Sequence, residues 1–322
     1  MTSSQDTFQE LISKLADENS EFSTAMFFQI TEFLSDIAPV QLKPLLEIWD
    51  EIPLSRRHSL LAHLKSMLEM DLRYSFNALA RPLLQDEDGI IRVFAIRLLA
   101  DYEREDLLPT FIHIAMNDPI IEAREEAISL LGIYIHYGEL EEVSEKNLKK
   151  IEEAVLTIAK SDPKIKLRQC ALEALGFSSR EEVPALIENA WREEAVLWKA
   201  SAVFAMGRSY DDRWQEEILE GLVHENEIVR LAATQAAGSL SLALARPILL
   251  NNLKEEKDDA VLRASIWSLS EIGGEDVREY LLTFLDQFEG EEEQESYVEE
   301  ALANLDFTED LQSLDFFNFD IE

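Results

Sequence analysis

Histidine and cysteine are the residues of this chain best suited to metal or nucleophilic chemistry, and the sequence contains five histidines and one cysteine. Two histidines, His58 and His63, lie close enough in sequence to share one helix. Their spacing points the two rings in different directions, whereas a zinc-binding helix places its ligands about four residues apart. Cys170 has no histidine near it in sequence that would activate the thiol. These residues predict neither a metal site nor a catalytic nucleophile.

Acidic residues are so abundant that two neighbouring carboxylates carry no specific meaning. Runs such as Glu255-Glu256 and Glu291-Glu292-Glu293 are expected to be solvated charge rather than acid–base pairs. The sequence also contains no glycine-rich phosphate loop and no serine-elbow or kinase signature. The prediction is a protein that is not an enzyme and that uses no cofactor and no metal.

The elements that position the side chains follow from a pattern that recurs along the chain. Around Arg124 it reads Asp118-Pro119, then the anchor itself, then Ala127 and Leu131-Gly132. We number each copy from its anchor, so that Ala127 is at +3 and Leu131 at +7. Successive anchors differ by 32, 44, 31, 31 and 32 residues, and they are Arg92, Arg124, Arg168, Lys199, Arg230 and Leu262.

A unit of this length accommodates two helices of three to four turns with short connections. Apolar residues recur at spacings of three and four, which favours helix over strand. The pattern therefore predicts an all-α fold, an α-solenoid of about eight antiparallel helix pairs. The acid of Asp-Pro is expected to cap a helix, and the glycine at +8 either to end the second helix or to let a neighbour approach. The wider spacing predicts an insertion near residues 137–145.

This pattern resembles the HEAT-like repeat family, including the short repeats of phycobilisome-lyase-like proteins, most clearly over residues 86–274. The resemblance implies a solenoid over residues 1–304, with an irregular N-terminal cap over 1–50 and an acidic, aromatic tail over 305–322. It further implies that the second helices line the concave surface. The repeated acid–base pairs, according to the same resemblance, form a hydrogen-bonded ladder between adjacent turns. Those pairs are Asp86/Arg92, Asp118/Arg124, Asp162/Arg168 and Glu193/Lys199.

Helical phase predicts which side chains face that concave groove. Positions −1, +3, +7 and +10 cluster on one side of the second helix, and +1, +5 and +9 fall opposite them. Val93, Gln169 and Ala200 are examples of +1 residues. Large apolar and Arg side chains at these positions are typical of a binding surface. The predicted partner-binding groove consists of Ile133, Phe177, Phe204, Arg208, Leu231, Gln235, Arg263 and Trp267.

The formal charge of −36 indicates which partners the chain favours. Nucleic acid and anionic membrane surfaces are disfavoured, because both require Lys and Arg at the interface. A basic protein partner suits an acidic surface, although the charge is equally compatible with a role in solubility alone. The single cysteine suits a reducing compartment, and the N-terminal residues lack the pattern of a secretory signal. We therefore expect a cytoplasmic scaffold or adaptor that binds another protein.

Two rival protein classes and the role of the C-terminal tail stay open. A bilin-lyase-like protein would bind the propionates of a tetrapyrrole through Arg97, Arg208 and Arg263. The HEAT-like DNA glycosylases share the architecture, but their basic groove is contradicted by the charge of this chain. The tail is predicted to cap the last repeat, to dock on a partner or to fold back into the groove. Its motif is formed by Phe316, Phe317, Phe319 and Ile321.

Overall fold

The structure is a computed structural model that describes residues 4–21, 23–71, 73–102, 104–287, 290 and 292–318. All regular secondary structure within these ranges is helical, which confirms the predicted all-α fold. The chain forms two compact units. Unit 1 comprises Met1–Tyr134 and Glu145–Ala154, and unit 2 comprises Ile135–Ser144 and Val155–Glu322.

The helices of unit 1 are short and follow one another closely. Two of them, α8 and α9, also contain residues of unit 2. The helices are α1 (Ser4–Ala16), α2 (Thr24–Leu34), α3 (Pro39–Glu47), α4 (Leu54–Met70), α5 (Asn77–Leu83), α6 (Gly89–Arg97), α7 (Leu108–Asn117), α8 (Ile121–Glu139) and α9 (Glu145–Ser161).

Unit 2 continues the same alternation of a first and a second helix in each repeat. The second helices are the even-numbered ones. From α10 to α18 each packs against the neighbouring second helix, and α12, α14, α16 and α18 also pack against their own first helices. The helices are α10 (Ile165–Leu175), α11 (Val183–Arg192), α12 (Val196–Arg208), α13 (Gln215–Leu222), α14 (Glu227–Ser239), α15 (Arg246–Glu255), α16 (Asp259–Ile272), α17 (Glu275–Gln287) and α18 (Glu292–Asn318). This arrangement confirms helix-pair repeats of the α-solenoid type.

Three second helices, α6, α14 and α16, begin at polar caps that lie four residues before the anchor, whereas Lys164 and Ala195 at the same position of α10 and α12 form no side-chain cap. The side chains of Asp88, Asn226 and Asp258 accept hydrogen bonds from backbone N–H groups in the first turn. The predicted capping by the acid of Asp-Pro is wrong. Asp118 and Asp162 lie in the turns before α8 and α10, where each accepts the N–H two residues ahead. Proline instead occupies the first turn of first helices, as in α7, α11 and α15.

The predicted core phase is correct, but the predicted exposure of position +1 is wrong for three residues, whereas Leu231 and Arg263, also at +1, are not buried. Val93, Gln169 and Ala200 are buried rather than exposed. Positions +1 and +8 lie seven residues apart and therefore share one stripe of the helix. That stripe faces the next second helix, which explains why these three +1 side chains are covered. The core residues at −1, +3 and +7 include Ile91, Ala95, Leu99, Leu167, Ala171, Leu175, Val229, Ala233 and Ala237.

Glycine at +8 allows neighbouring second helices to approach closely. A Cβ on Gly176 would lie 2.7 Å from the carbonyl oxygen of Ala205, and one on Gly207 would lie 2.7 Å from the Cα of Ala236. Gly207 lies inside α12, so it does not end that helix. Of the two predicted roles for this glycine, close approach is therefore the one that the packing requires.

Two anchors form the predicted ladder between adjacent repeats. Arg92 donates to both carboxylate oxygens of Asp118, which stands before the next anchor, at 2.6 Å each. Arg230 makes the same bidentate contact with Glu256 at 2.8 and 2.9 Å. Arg92 also donates to the backbone carbonyl of Asp86 in its own turn. Each rung thus joins an anchor to the acid of the following repeat.

Arg168 and Lys199 hold their turns differently. The Arg168 guanidinium lies over the Trp198 ring, 5.6 Å from its centroid. Lys199 donates to the backbone carbonyl of Trp191 and lies 4.4 Å from the centroid of that ring. Tryptophan replaces the acid as the main contact of the basic anchor in this part of unit 2, so the ladder is not continuous there.

The extra residues in the widest repeat lengthen helices. α8 has 19 residues and α9 has 17, compared with 13 in α12 and 10 in α11. The predicted insertion at residues 137–145 thus falls where α8 ends and α9 begins. At the other end of the chain, α18 buries Val298, Ala301 and Leu305 and continues past the predicted tail boundary.

Candidate functional site

The eight predicted groove residues lie on successive second helices, except Phe177, which follows the end of one. Ile133, on α8, belongs to unit 1 and is half-buried. The other seven belong to unit 2 and form two clusters: Phe177 lies in the turn after α10, and the rest lie on α12, α14 and α16. We use the name groove face for these seven residues, Phe177, Phe204, Arg208, Leu231, Gln235, Arg263 and Trp267.

The first cluster holds a guanidinium between two phenyl rings. The Cζ atom of Arg208 lies 4.7 Å from the centroid of Phe177 and 4.4 Å from that of Phe204. One Nη atom of Arg208 donates to the backbone carbonyl of Glu173 at 3.0 Å. Burial lowers the pKa of Arg208, the nearby Glu173 carboxylate partly offsets this effect, and the group stays cationic at any ordinary pH. Within the described ranges, this guanidinium forms no ion pair.

His136 extends the first cluster along the surface. Its ring lies 4.6 Å from that of Phe177 and 6.1 Å from that of Tyr210, measured between centroids. Helical phase could not find this residue, because it follows the +9 position of the lengthened helix α8. Four aromatic rings and one guanidinium therefore lie together where the sequence predicted two rings and the guanidinium.

Glu173 lies beneath this cluster and positions Arg208 through its backbone. Its side chain accepts a hydrogen bond from the Ser201 hydroxyl. Burial raises the pKa of Glu173, while Ser201 and Arg208 act in the opposite direction. The acid and the cation thus share a poorly hydrated environment without direct pairing of their charged groups.

The second cluster lines a pocket of about 520 Å³ formed by α14, α16 and α18. Leu231, Gln235, Arg263 and Trp267 all belong to it, so the structure brings half of the predicted groove residues together. Trp267 is 36% exposed. Its indole N–H donates to the Glu271 carboxylate at 3.0 Å, and burial raises the pKa of Glu271.

Tyr297 forms a wall of this pocket that the sequence did not predict. Its ring lies 6.4 Å from the Trp267 ring between centroids, and its hydroxyl donates to the backbone carbonyl of Arg263. Tyr297 follows Trp267 by about one repeat length, and this spacing is the sequence feature that could have indicated its place beside Trp267. The last repeat is too degenerate for its helical phase to be assigned from the sequence.

The tail motif lies largely beyond the described side chains. Phe316 and Phe317 fall within α18, but their side chains lie outside the described part, and Phe319 and Ile321 lie outside the described residues altogether. The role of the tail motif stays a prediction. No helix in the described ranges is both long enough and apolar enough to span a bilayer.

Two of the three cations proposed for a tetrapyrrole are paired with acidic side chains. Arg97 pairs with Glu126 through two hydrogen bonds, and Arg263 pairs with Glu293 at 2.9 Å. The pocket that holds Arg263 also contains the Glu271 carboxylate, which would repel a propionate. The bilin-lyase alternative therefore finds no support.

A family model described as HEAT repeats matches residues 183–270 and 216–303. Residues 183–303 thus match HEAT repeats. The matched region runs from α11 into α18 and includes the second cluster completely. No curated protein sequence matches the chain significantly.

Several solved structures resemble this chain at low sequence identity. YibA of Escherichia coli is 18% identical over 90% of this chain and 98% of that chain, with a TM-score of 0.43. Yeast importin-β is 12% identical over 93% of this chain, which spans 46% of that protein, with a TM-score of 0.48. Human deoxyhypusine hydroxylase is 16% identical over 83% and 96% of the two chains, with a TM-score of 0.33. These likenesses assign no partner or reaction to the HEAT repeats described above.

Proposed function

We propose that this protein is a non-enzymatic, cytoplasmic scaffold or adaptor that binds a segment of another protein along the groove face of unit 2. HEAT-repeat solenoids typically serve as protein-interaction scaffolds. The observation that carries the proposal is the cluster in which Arg208 lies between Phe177 and Phe204. Aromatic and Arg side chains dominate the energetics of protein interfaces when they are held in place before binding.

The preorganisation of Arg208 supports this reading. A free surface arginine loses rotamer freedom when a partner immobilises it, whereas this guanidinium is already fixed by two rings and one backbone carbonyl. Such stacking also leaves several N–H groups without partners in the described part of the protein. A carboxylate or backbone carbonyl of a bound segment is a suitable acceptor for them.

The second cluster supports the proposal independently. Trp267 exposes part of its indole at a pocket, and large apolar side chains exposed beside one another usually mark binding surfaces. Both clusters lie on consecutive second helices, so an extended segment of a partner that crosses α12, α14 and α16 contacts both. A purely structural helix surface would place Lys, Glu or Gln at these positions.

Quantitative capture from the source cells tests the proposal. The full-length protein is used as bait, the captured protein is identified by mass spectrometry, and its affinity is then measured against purified variants. We expect Phe204→Ala and Arg208→Ala each to weaken binding by roughly 30-fold or more, as removal of a hot-spot residue does.

Val223→Ala is the matched control, because Val223 is a 67% exposed apolar residue outside the groove face. This variant should bind as the unchanged protein does. Equal affinity of all three variants for the captured protein would reject the groove face as the binding surface.

A further inference from the structure

The pocket of the second cluster contains a carboxylate and two aromatic side chains. The carboxylate is that of Glu271, on α16, and the aromatic side chains, which we call the aromatic wall, are those of Trp267 and Tyr297. Gln235 and Ser239, on α14, also line this pocket.

The position of the Glu271 carboxylate is fixed by its neighbours. The Trp267 N–H donates to one carboxylate oxygen. The other oxygen occupies space that Gly238 leaves open, since a Cβ on this glycine would lie only 2.2 Å from it. Across the described parts of the chain, Glu271 pairs with no cation. A half-buried carboxylate that lacks a cation is incompletely compensated, and its raised pKa reflects that burial.

The aromatic wall already accepts a cation on one of its faces. Arg263 lies over the Tyr297 ring, 5.4 Å from the centroid, and its outer nitrogen pairs with Glu293. Both partners of this ion pair are substantially exposed, with side-chain exposures of 45% and 80%. Exposed pairs of this kind contribute little, so Arg263 can yield to an incoming group at the rim. Tyr297 and Trp267 therefore offer surfaces suited to a cation and to the methylene groups behind it.

We propose that this pocket binds a lysine or arginine side chain of the partner protein. The charged end meets the Glu271 carboxylate, and the aliphatic stem lies against Trp267 and Tyr297. Charge complementarity selects this occupant, because the chain carries a formal charge of −36 and presents here a carboxylate without a cation. The inference rests on the proposed function in one respect, namely that the pocket belongs to the groove face.

Small side-chain analogues test the pocket without knowledge of the partner. The full-length protein is labelled with 5-fluorotryptophan, and the Trp267 resonance is assigned by its loss in Trp267→Phe. We expect Nα-acetyl-lysine N-methylamide and its arginine counterpart to shift this resonance saturably, with dissociation constants on the order of millimolar, as suits one side chain. Nα-acetyl-norleucine N-methylamide, which lacks the charge, should leave the resonance in place at the same concentrations.

Two variants separate the carboxylate from the general acidity of the surface. Glu271→Gln should weaken the lysine and arginine responses at least tenfold, whereas Glu220→Gln, which removes an exposed acid on α13, should leave them unchanged. An equal response to norleucine and lysine in the unchanged protein would overturn the proposal whether or not the variants fold. A response that persists undiminished in folded Glu271→Gln would also overturn it.

Failure of this inference is distinguishable from failure of the proposed function. Loss of partner binding in Phe204→Ala without any response to lysine or arginine rejects only the basic side chain as the occupant. A response to lysine in a protein whose captured partner ignores Phe204 and Arg208 rejects only the proposed groove interface.

Discussion

At the scale of single residues, the contact between Arg230 and Glu256 makes stability depend on pH. The Arg230 guanidinium, followed by the backbone N–H groups of Asp258 and Lys257, lowers the pKa of Glu256 from 4.5 to about 2. A folded-state pKa below the unfolded value means that the contribution is fully present above about pH 4.5. It is lost as the pH falls from there towards 2.

Glu256→Gln should therefore be less stable than the unchanged protein at neutral pH, by about 2–3 kcal/mol. The difference should shrink as the pH falls below 4.5, because protonation removes the same charge from the unchanged protein. Urea unfolding at a series of pH values measures both effects. Glu255→Gln, at the exposed neighbouring position, serves as the control and should follow the unchanged protein. A difference between Glu256→Gln and the unchanged protein that is independent of pH would contradict this explanation.

Replacing Phe204 or Trp267 by alanine should lower the free energy of unfolding less than replacing a core aromatic residue. Both are only partly covered, whereas Phe111 on α7 is fully buried. Phe204→Ala and Trp267→Ala should each lower the unfolding free energy by about 1 kcal/mol, and Phe111→Ala by about 3–5 kcal/mol. Denaturant titration of the three variants makes the comparison. A loss at Phe204 as large as that at Phe111 would mean that Phe204 is a core residue and would remove the physical basis for its role in binding.

Residue-level prediction from the sequence worked best where the repeat was regular. The core positions −1, +3 and +7 were predictable because each copy repeats the same helical phase. Val93, Gln169 and Ala200 were misassigned because phase within one helix says nothing about the helix that packs beside it. Tyr297 and His136 were missed because one lies in a degenerate repeat and the other in a lengthened helix. The sites depend on contacts between repeats, and those contacts are where single-sequence patterns carry least information.

At the scale of helices, the spacing between second helices depends on the glycine at +8. Alanine normally stabilises a helix interior relative to glycine by about 1 kcal/mol. At Gly207, however, the added methyl group would lie 2.7 Å from the Cα and 2.8 Å from the Cβ of Ala236 on α14. Neither atom is the end of a flexible side chain, so α12 and α14 must move apart to accommodate it.

Gly207→Ala should consequently be destabilising overall, by about 1–2 kcal/mol, despite the gain in helix propensity. Glu220→Ala, at an exposed position of α13, tests propensity without a clash and should be neutral or slightly stabilising. Thermal unfolding followed by far-ultraviolet circular dichroism compares the two variants. Equal or higher stability of Gly207→Ala would show that the two helices tolerate a wider separation than their packing indicates.

The order and pairing of the helices were predictable to a greater extent than their ends. Recurrence of the anchor pattern predicted one first and one second helix per repeat, and the structure agrees. The caps were misplaced because Asp118 could satisfy an N–H group either at the helix start or within the preceding turn. The 44-residue spacing correctly indicated extra residues but could not indicate that they extend α8 and α9 rather than form a loop.

At the scale of the whole molecule, the excess of acidic residues is the dominant electrostatic feature. The chain has 65 acidic and 29 basic residues, so many carboxylates must lack a basic partner. Mutual repulsion among unpaired charges destabilises the compact state relative to the expanded one. Salt screens this repulsion, since the Debye length falls from about 30 Å at 0.01 M to about 8 Å at 0.15 M.

Raising NaCl from about 0.01 M to 0.15 M should therefore increase the temperature of each unfolding transition by a few degrees. This shift corresponds to a gain in unfolding free energy on the order of 1–2 kcal/mol. Calorimetry measures the transitions, and sucrose at matched osmolality controls for effects that do not involve charge. Salt also weakens attractive pairs, but the pairs that join repeats, such as Arg92 with Asp118, are largely buried and are screened much less than exposed charges. Added salt should therefore weaken the repulsion between exposed acids more than it weakens the attraction within these ion pairs. A fall in the transition temperatures with added salt would contradict this explanation. It would mean that the stabilisation from exposed ion pairs is larger than the destabilisation from the excess negative charge.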